Sequence, residues 1–136
     1  MKRKVYYHDT DCGGVVYYAN YLKFFEEGRT DFMEQAGFSV PELAERGCLM
    51  MVHHQEVWYK HPAKYGDVLD VETHAVEISP VRIVFECFVK KSDGTLLVQG
   101  LTDVVSVSKE GTLSNWPQDV MQAIKVSPRQ IKVRRF

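Results

Sequence analysis

One long segment with helical periodicity, followed by four long β-rich segments, constrains the fold of this chain more than any other feature. Across residues 18–36, apolar residues recur at intervals of three and four, which predicts a helix with a broad apolar face. After Gly47, turn signals separate four predicted strands at residues 49–59, 68–78, 82–90 and 96–107. This order of elements predicts an α+β fold in which a curved antiparallel sheet wraps around the helix.

Single residues refine this prediction. Gly28 lies on the apolar face of the helix, where glycine costs about 1 kcal/mol relative to alanine, so we expect a very close approach between helix and sheet there. Residues 4–8 are predicted to add a first strand, which gives a sheet of about five strands. Ser39 is expected to cap a short helix over 41–46, and a terminal helix is expected over 117–125.

Length and charge narrow the class of protein. The 136 residues predict one domain spanning residues 1–136, at roughly 150 residues per domain. A net charge of −1 argues against electrostatic binding of nucleic acid. No signal-peptide pattern or membrane-length apolar run is present, and three cysteines without C-x-x-C spacing are typical of reduced thiols. We therefore expect a cytoplasmic protein with no integral membrane segment.

The strongest functional signal is a carboxylate on a glycine loop directly ahead of the helix, in the run Asp9-Thr10-Asp11-Cys12-Gly13-Gly14. A helix start offers free backbone N–H groups and the positive end of the helix dipole. Asp11 beside such a start could attack a carbonyl or activate water while the N–H groups hold the oxyanion. An Asx-turn is the structural alternative for Asp11, and Asp9 is expected to order the loop through backbone N–H groups.

The residues from Asp9 to Tyr21, with the following Leu22-Lys23-Phe24-Phe25-Glu26, resemble the signature of the 4-hydroxybenzoyl-CoA thioesterase family. Within that family they are similar to the YbgC-type branch associated with the Tol–Pal system. The resemblance implies the hotdog fold, a long central helix wrapped by a curved antiparallel sheet. It also implies hydrolysis of an acyl-CoA to a free acid and coenzyme A. No cofactor is implied, because coenzyme A is part of the substrate; acyl carrier protein is an alternative carrier.

The same resemblance assigns roles to particular residues. Asp11 is implied to be catalytic, as the nucleophile or as a general base, and the residues leave both roles open. The backbone N–H of Tyr18 is implied to polarise the thioester carbonyl. Many members of the branch have histidine at this position, whereas this chain has tyrosine, so no imidazole is expected to act here. Gly14, Val16 and Arg82 are expected to bind substrate. Further candidates for the phosphates of coenzyme A are the basic residues Lys60, His61, Lys125, Arg129, Lys132, Arg134 and Arg135. A solvated tail is the alternative for the C-terminal residues, and it is favoured for the last few of them.

Two other functions are compatible with this fold. A non-enzymatic module that binds acyl thioesters or proteins would have no need of an ionised Asp11 beside the carbonyl. Hotdog dehydratases typically carry a histidine with a carboxylate on the long helix, and residues 18–36 contain no histidine. A metal site at His8, Asp9 and Asp11 is not expected, because strand alternation would separate these side chains.

The sequence also predicts that copies of this chain assemble into an oligomer. An exposed sheet edge is usually paired or covered, and strands with apolar residues on both sides, such as Ile83-Val84-Phe85, bury more than one face. The resemblance implies that two sheets join edge to edge into a dimer, with active sites at the subunit boundary. We expect a homodimer at minimum and a homotetramer, or dimer of dimers, by resemblance. Asp11 is then expected to face residues 52–55 of the partner.

Overall fold

The computed structural model describes residues 1–132, which form a five-stranded antiparallel sheet and three helices. In chain order the elements are β1 (Lys2–Lys4), α1 (Tyr21–Gln35), α2 (Val40–Glu45), β2 (Leu49–Tyr59), β3 (Val68–Ser79), β4 (Arg82–Lys91), β5 (Leu96–Val107) and α3 (Gln118–Ala123). The strand order is β1-β3-β4-β5-β2, so β2, with 11 residues, forms one edge of the sheet. The α+β class and the sheet on a long helix are confirmed.

Two predicted boundaries are wrong at the N-terminal side. The strand predicted over residues 4–8 is β1 at Lys2–Lys4, and Tyr7–Asp9 forms a 3-10 turn because the Asp9 carboxylate accepts the Tyr6 N–H at 2.9 Å. The long helix begins at Tyr21 rather than at residue 18, since Tyr18–Asn20 also forms a 3-10 turn. At the other end of the chain, the helix predicted over 117–125 is shorter than expected, since α3 covers Gln118–Ala123.

The long helix α1 lies against one face of the sheet through buried side chains that include Phe24, Phe25 and Met33. A Cβ atom added at Gly28 would overlap Thr73 Oγ1 and lie 3.0 Å from Val71 Cγ1, both on β3. This confirms the predicted close approach of helix and sheet. The backbone of β5 makes a second close approach, which the sequence did not reveal: a Cβ atom at Gly100 would overlap the Phe25 ring.

Replacing Gly28 with alanine is expected to lower the free energy of unfolding by about 1–2 kcal/mol, because overpacking outweighs the gain in helix propensity. Chemical denaturation measures this change. Thr73→Ala in the same chain should recover most of the loss, since it removes the overlapping hydroxyl. Glu34→Ala, at an exposed position of α1, is the control and should change stability by about 0.5 kcal/mol or less. A Gly28→Ala variant as stable as the wild type would contradict the close approach.

The chain's own C-terminal segment covers part of the opposite face of the sheet, over β4 and the adjoining part of β5. Ile131 belongs to a buried apolar cluster whose other members are Val84, Phe88 and Leu101. The carboxylate of Glu86, also buried, accepts the N–H groups of Gln130 and Ile131 at 2.7 and 3.0 Å. Apolar residues on both faces of β4 are therefore buried within one chain, and they do not by themselves require a partner.

Candidate active site

The loop ahead of α1 is held in place by Asp9, which is 2% exposed. Its carboxylate accepts hydrogen bonds from the Arg3 guanidinium at 2.8 Å, the Tyr6 N–H at 2.9 Å and the Asn20 amide at 2.8 Å. Burial acts to raise the pKa of Asp9, but these donors, Arg3 foremost, hold the pKa below its usual range. Because Arg3 also pairs with Glu27 of α1 at 2.7 Å, Asp9 orders the loop against the helix; it does so mainly through the side chains of Arg3 and Asn20, whereas backbone N–H groups were expected and, within residues 1–132, only that of Tyr6 takes part.

Asp11, in contrast, is exposed on the same loop. Its Oδ1 atom accepts the Gly13 N–H at 2.8 Å, which is the Asx-turn considered as the structural alternative. The Asp11 N–H donates to the Val15 carbonyl at 2.8 Å, and Gly14 follows with a φ of +81°, a conformation that favours glycine. Within residues 1–132, no side chain or N–H group donates to Oδ2 of Asp11. The turn therefore fixes the carboxylate while leaving one oxygen available.

The turn at Tyr18–Asn20 presents unpaired backbone donors at the start of α1. The Tyr17 carbonyl accepts the Asn20 N–H at 2.8 Å, whereas the N–H groups of Tyr18 and Ala19 have no acceptor in the described part of the chain. No side chain caps this turn. Free N–H groups at the positive end of a helix are suited to hold an oxyanion. The geometry agrees with the donor role predicted for the Tyr18 N–H, which stays a prediction.

A cavity of about 260 Å³ lies beside this turn, and it is lined by Val16, Tyr18, Tyr21, Tyr59, Lys60, His61 and Pro62. The structure thus brings two predicted site residues, Val16 and Tyr18, together with the basic candidates Lys60 and His61. Asp11 and Gly14 do not line the cavity, but their loop adjoins it through the bridge between Thr10 and Val16.

Three residues of this cavity were not singled out from the sequence: Tyr21, Tyr59 and Pro62. Tyr21 could be assigned only to the apolar face of the helix. Tyr59 and Pro62 mark the end of β2 and the turn that follows it. No sequence signal relates that turn to the helix start, because the two are brought together only by the tertiary fold.

Arg82, predicted to bind substrate, lies in a different place. It lines a second cavity, of about 400 Å³, that shares no lining residue with the first. Its guanidinium pairs with Glu77 at 3.3 Å and with Asp103 at 3.2 Å. A single chain therefore does not bring Arg82 to the Tyr18 cavity, and its substrate role stays a prediction. Of the basic C-terminal candidates, Arg134 and Arg135 lie outside the described residues.

Residues 1–132 contain no site for metal chemistry, because no group of His, Cys, Asp and Glu there is arranged to hold a metal ion. The three cysteines are free; Cys12 is exposed, and Cys48 and Cys87 are buried. None of the helices in this part of the chain has the length and apolar character needed to cross a membrane.

Known proteins share both the sequence pattern and the fold. Residues 5–124 match the thioesterase-like superfamily. The acyl-CoA thioester hydrolase YbgC of Escherichia coli is 35% identical over 104 residues, which cover 76% of this chain and 78% of that protein.

Solved structures give the same result for the fold. A crystal structure from Aquifex aeolicus superposes with a TM-score of 0.86 at 28% identity, covering 92% of this chain and 98% of that one. The DHNA-CoA thioesterase of Staphylococcus aureus superposes with a TM-score of 0.86 at 25% identity, covering 90% and 85%. These matches confirm the hotdog fold expected from the resemblance. The chain belongs to the thioesterase-like superfamily of thioester hydrolases, in its YbgC-type branch.

Proposed function

We propose that this protein hydrolyses acyl-CoA thioesters to a free carboxylic acid and coenzyme A, in the cytoplasm and without a metal or redox cofactor. The observation that carries the proposal is an exposed Asp11 carboxylate on the loop that leads directly into a helix start, whose first N–H groups have no acceptor within residues 1–132. The names of the relatives, acyl-CoA thioester hydrolase and DHNA-CoA thioesterase, support the substrate class.

The chemistry follows from these two groups. As the thioester carbonyl is attacked, negative charge develops on its oxygen, and the Tyr18 N–H stabilises that charge in the transition state. If Asp11 is the nucleophile, its carboxylate oxygen bonds to the carbonyl carbon and the C–S bond breaks, which leaves a mixed anhydride. The thiolate takes a proton from water, and a second water hydrolyses the anhydride to the free acid and the Asp11 carboxylate. If Asp11 is a general base, it accepts the proton of an attacking water and passes it to the departing thiolate. Gly14 and Val16 bind the substrate in either case; Arg82, which lines the other cavity of the same chain, would have to reach a substrate that extends beyond the Tyr18 cavity or is bound by the partner.

The site is completed by a second copy of the chain. Within residues 1–132, β2 forms a free edge of the sheet, and Met51 and Val52 in its first half are 51% and 52% exposed. Unpaired edges of this length usually pair with another strand. We propose a homodimer joined through β2, which further assembles into a tetramer, with Asp11 facing residues 52–55 of the partner. Acyl carrier protein remains the alternative carrier of the acyl group.

A hydrolysis screen tests the proposed function. The purified protein is assayed with acyl-CoAs of increasing chain length and with aromatic acyl-CoAs, and release of the free thiol is followed. We expect turnover of at least one substrate. Binding of acyl-CoA without any turnover would favour the non-enzymatic acyl-thioester-binding module instead, and would overturn the proposal.

Substitutions at Tyr18 test the backbone donor. Tyr18→Phe should change activity only modestly, because it keeps the N–H group. Tyr18→Pro removes that N–H and should lower kcat about 10²–10³-fold, as the loss of one oxyanion donor does in other enzymes. Proline fits the first position of a helical turn, and Tyr17, with φ −59° and ψ 130°, already has the extended conformation that a following proline requires. Circular dichroism checks folding; a folded Tyr18→Pro variant with normal kcat would contradict the oxyanion role.

A further inference from the structure

Tyr59 contacts the turn at the start of α1 from the end of β2. Its hydroxyl donates a hydrogen bond to the Tyr18 carbonyl at 3.0 Å. Its ring lies edge-on to the rings of Tyr21 and Tyr18, with centroids 5.8 and 6.3 Å apart. Tyr59 therefore forms one wall of the 260 Å³ cavity and also binds the backbone of the turn beside it.

The segment after Tyr59 holds the other end of the same turn. The Ala63 N–H donates to the hydroxyl of the buried Tyr21 at 3.1 Å, and the Ala63 carbonyl accepts the Val16 N–H at 2.9 Å. Lys64 forms a bridge with Val15. The end of β2 and the connection from β2 to β3 thus hold the helix start on both sides of the turn and within the turn. The contact within the turn is the hydrogen bond from the Tyr59 hydroxyl.

The direction of the free N–H groups depends on these carbonyl contacts. In a trans peptide the N–H points opposite to the C=O of the same unit. The Tyr17 carbonyl, which shares a peptide with the Tyr18 N–H, is held by the Asn20 N–H at 2.8 Å. The Tyr18 carbonyl, which shares a peptide with the Ala19 N–H, is held by Tyr59. Both consecutive N–H groups therefore point away from their anchored carbonyls and stay free.

We propose that Tyr59 is a positioning residue of the oxyanion site: by anchoring the Tyr18–Ala19 peptide, it makes the Ala19 N–H a second donor beside that of Tyr18. The inference rests on the proposed thioesterase function and adds a donor and its support to it. Burial raises the pKa of the Tyr59 phenol, as does the neighbouring Tyr18, so the hydroxyl stays protonated as a donor at neutral pH. Tyr59 transfers no proton to the substrate, because its hydroxyl hydrogen is committed to the carbonyl.

Tyr59→Phe removes the hydroxyl and keeps the ring. Because the donors act on charge that develops in the transition state, kcat should fall roughly 3–10-fold while KM stays within about twofold. Tyr65→Phe is the matched control, since Tyr65 is exposed and its hydroxyl makes no hydrogen bond within residues 1–132; it should leave both constants unchanged. A second readout is hydrogen exchange of the Ala19 amide, which should be faster in Tyr59→Phe because the peptide is less constrained.

The outcomes separate this inference from the proposed function. If wild type and Tyr65→Phe hydrolyse acyl-CoA and Tyr59→Phe matches them in kcat, the positioning role is overturned and the thioesterase function stands. A rise in KM alone would also overturn it, because it would make Tyr59 only a wall of the cavity. If the wild type hydrolyses no acyl-CoA, the proposed function falls and the role of Tyr59 falls with it.

Discussion

Replacing Asp11 with asparagine is expected to remove most of the thioesterase activity and to leave the fold unchanged. Asparagine keeps the side-chain oxygen that accepts the Gly13 N–H, so the loop should close as before. It removes the negative charge and the basicity that either catalytic role requires. Loss of a positioned general base costs typically about 10²–10⁴-fold in rate, and loss of a nucleophile costs more. Steady-state kinetics on the substrate found by the screen measure the change.

A matched control separates catalysis from loop structure. Asp93, in the turn between β4 and β5, is exposed, and its Oδ1 atom accepts the Thr95 N–H at 2.9 Å, two residues along the chain, as Asp11 does with Gly13. Asp93→Asn should therefore reproduce any effect of the substitution on an Asx-turn, but it should keep full activity. If Asp11→Asn retains nearly normal kcat, Asp11 is a turn residue and its catalytic assignment is wrong.

The long strands were predictable because their signals are local. The predicted bounds of β2 and β5 match the structure, and those of β3 and β4 differ by one residue at the C-terminal end. The errors near the N-terminus come from side-chain contacts of Asp9 that the strand pattern does not reveal. Residues 4–8 have the composition of a strand, but Asp9 accepts the Tyr6 N–H and is held by Arg3, which closes a turn where the pattern favours extension.

In the candidate site, too, contacts between distant residues could not be predicted from the sequence pattern. The loop residues Asp11 and Gly14 and the helix start at Tyr18 are contiguous in sequence, so one motif predicts them. Tyr59 lies about forty positions further along the chain, and only the sheet brings it to the Tyr18 carbonyl. Arg82 was placed near the substrate by resemblance, whereas in one chain it pairs with Glu77 and Asp103. Val16, Tyr18, Lys60 and His61 of the cavity were thus candidates from the sequence, whereas the contact between Tyr59 and the turn was not.

Disrupting the free edge of β2 is expected to abolish assembly and activity together. In the proposed dimer, β2 pairs with its partner copy, and residues 52–55 complete the site around Asp11. The double substitution Met51→Lys and Val52→Lys adds charges of the kind that natural proteins use to prevent edge pairing. Light scattering should then show a monomer, and kcat/KM should fall at least about 10²-fold, because a misplaced site loses that much even when its chemistry is intact.

The corresponding control is Val68→Lys, which also replaces an exposed valine on a strand. Val68 pairs with Lys4 of β1, so it lies away from the free edge of β2, and its substitution should leave both assembly and activity unchanged. Comparing Val68→Lys with the double variant of β2 thus distinguishes an effect of added charge from an effect on the edge of the sheet. Because the apolar residues on the outer face of β4 are covered by the chain's own C-terminal segment, the edge of β2 is the surface that we expect a partner to cover. A lysine double variant that is monomeric and fully active would overturn the shared site, since every group needed for catalysis would then lie within one chain.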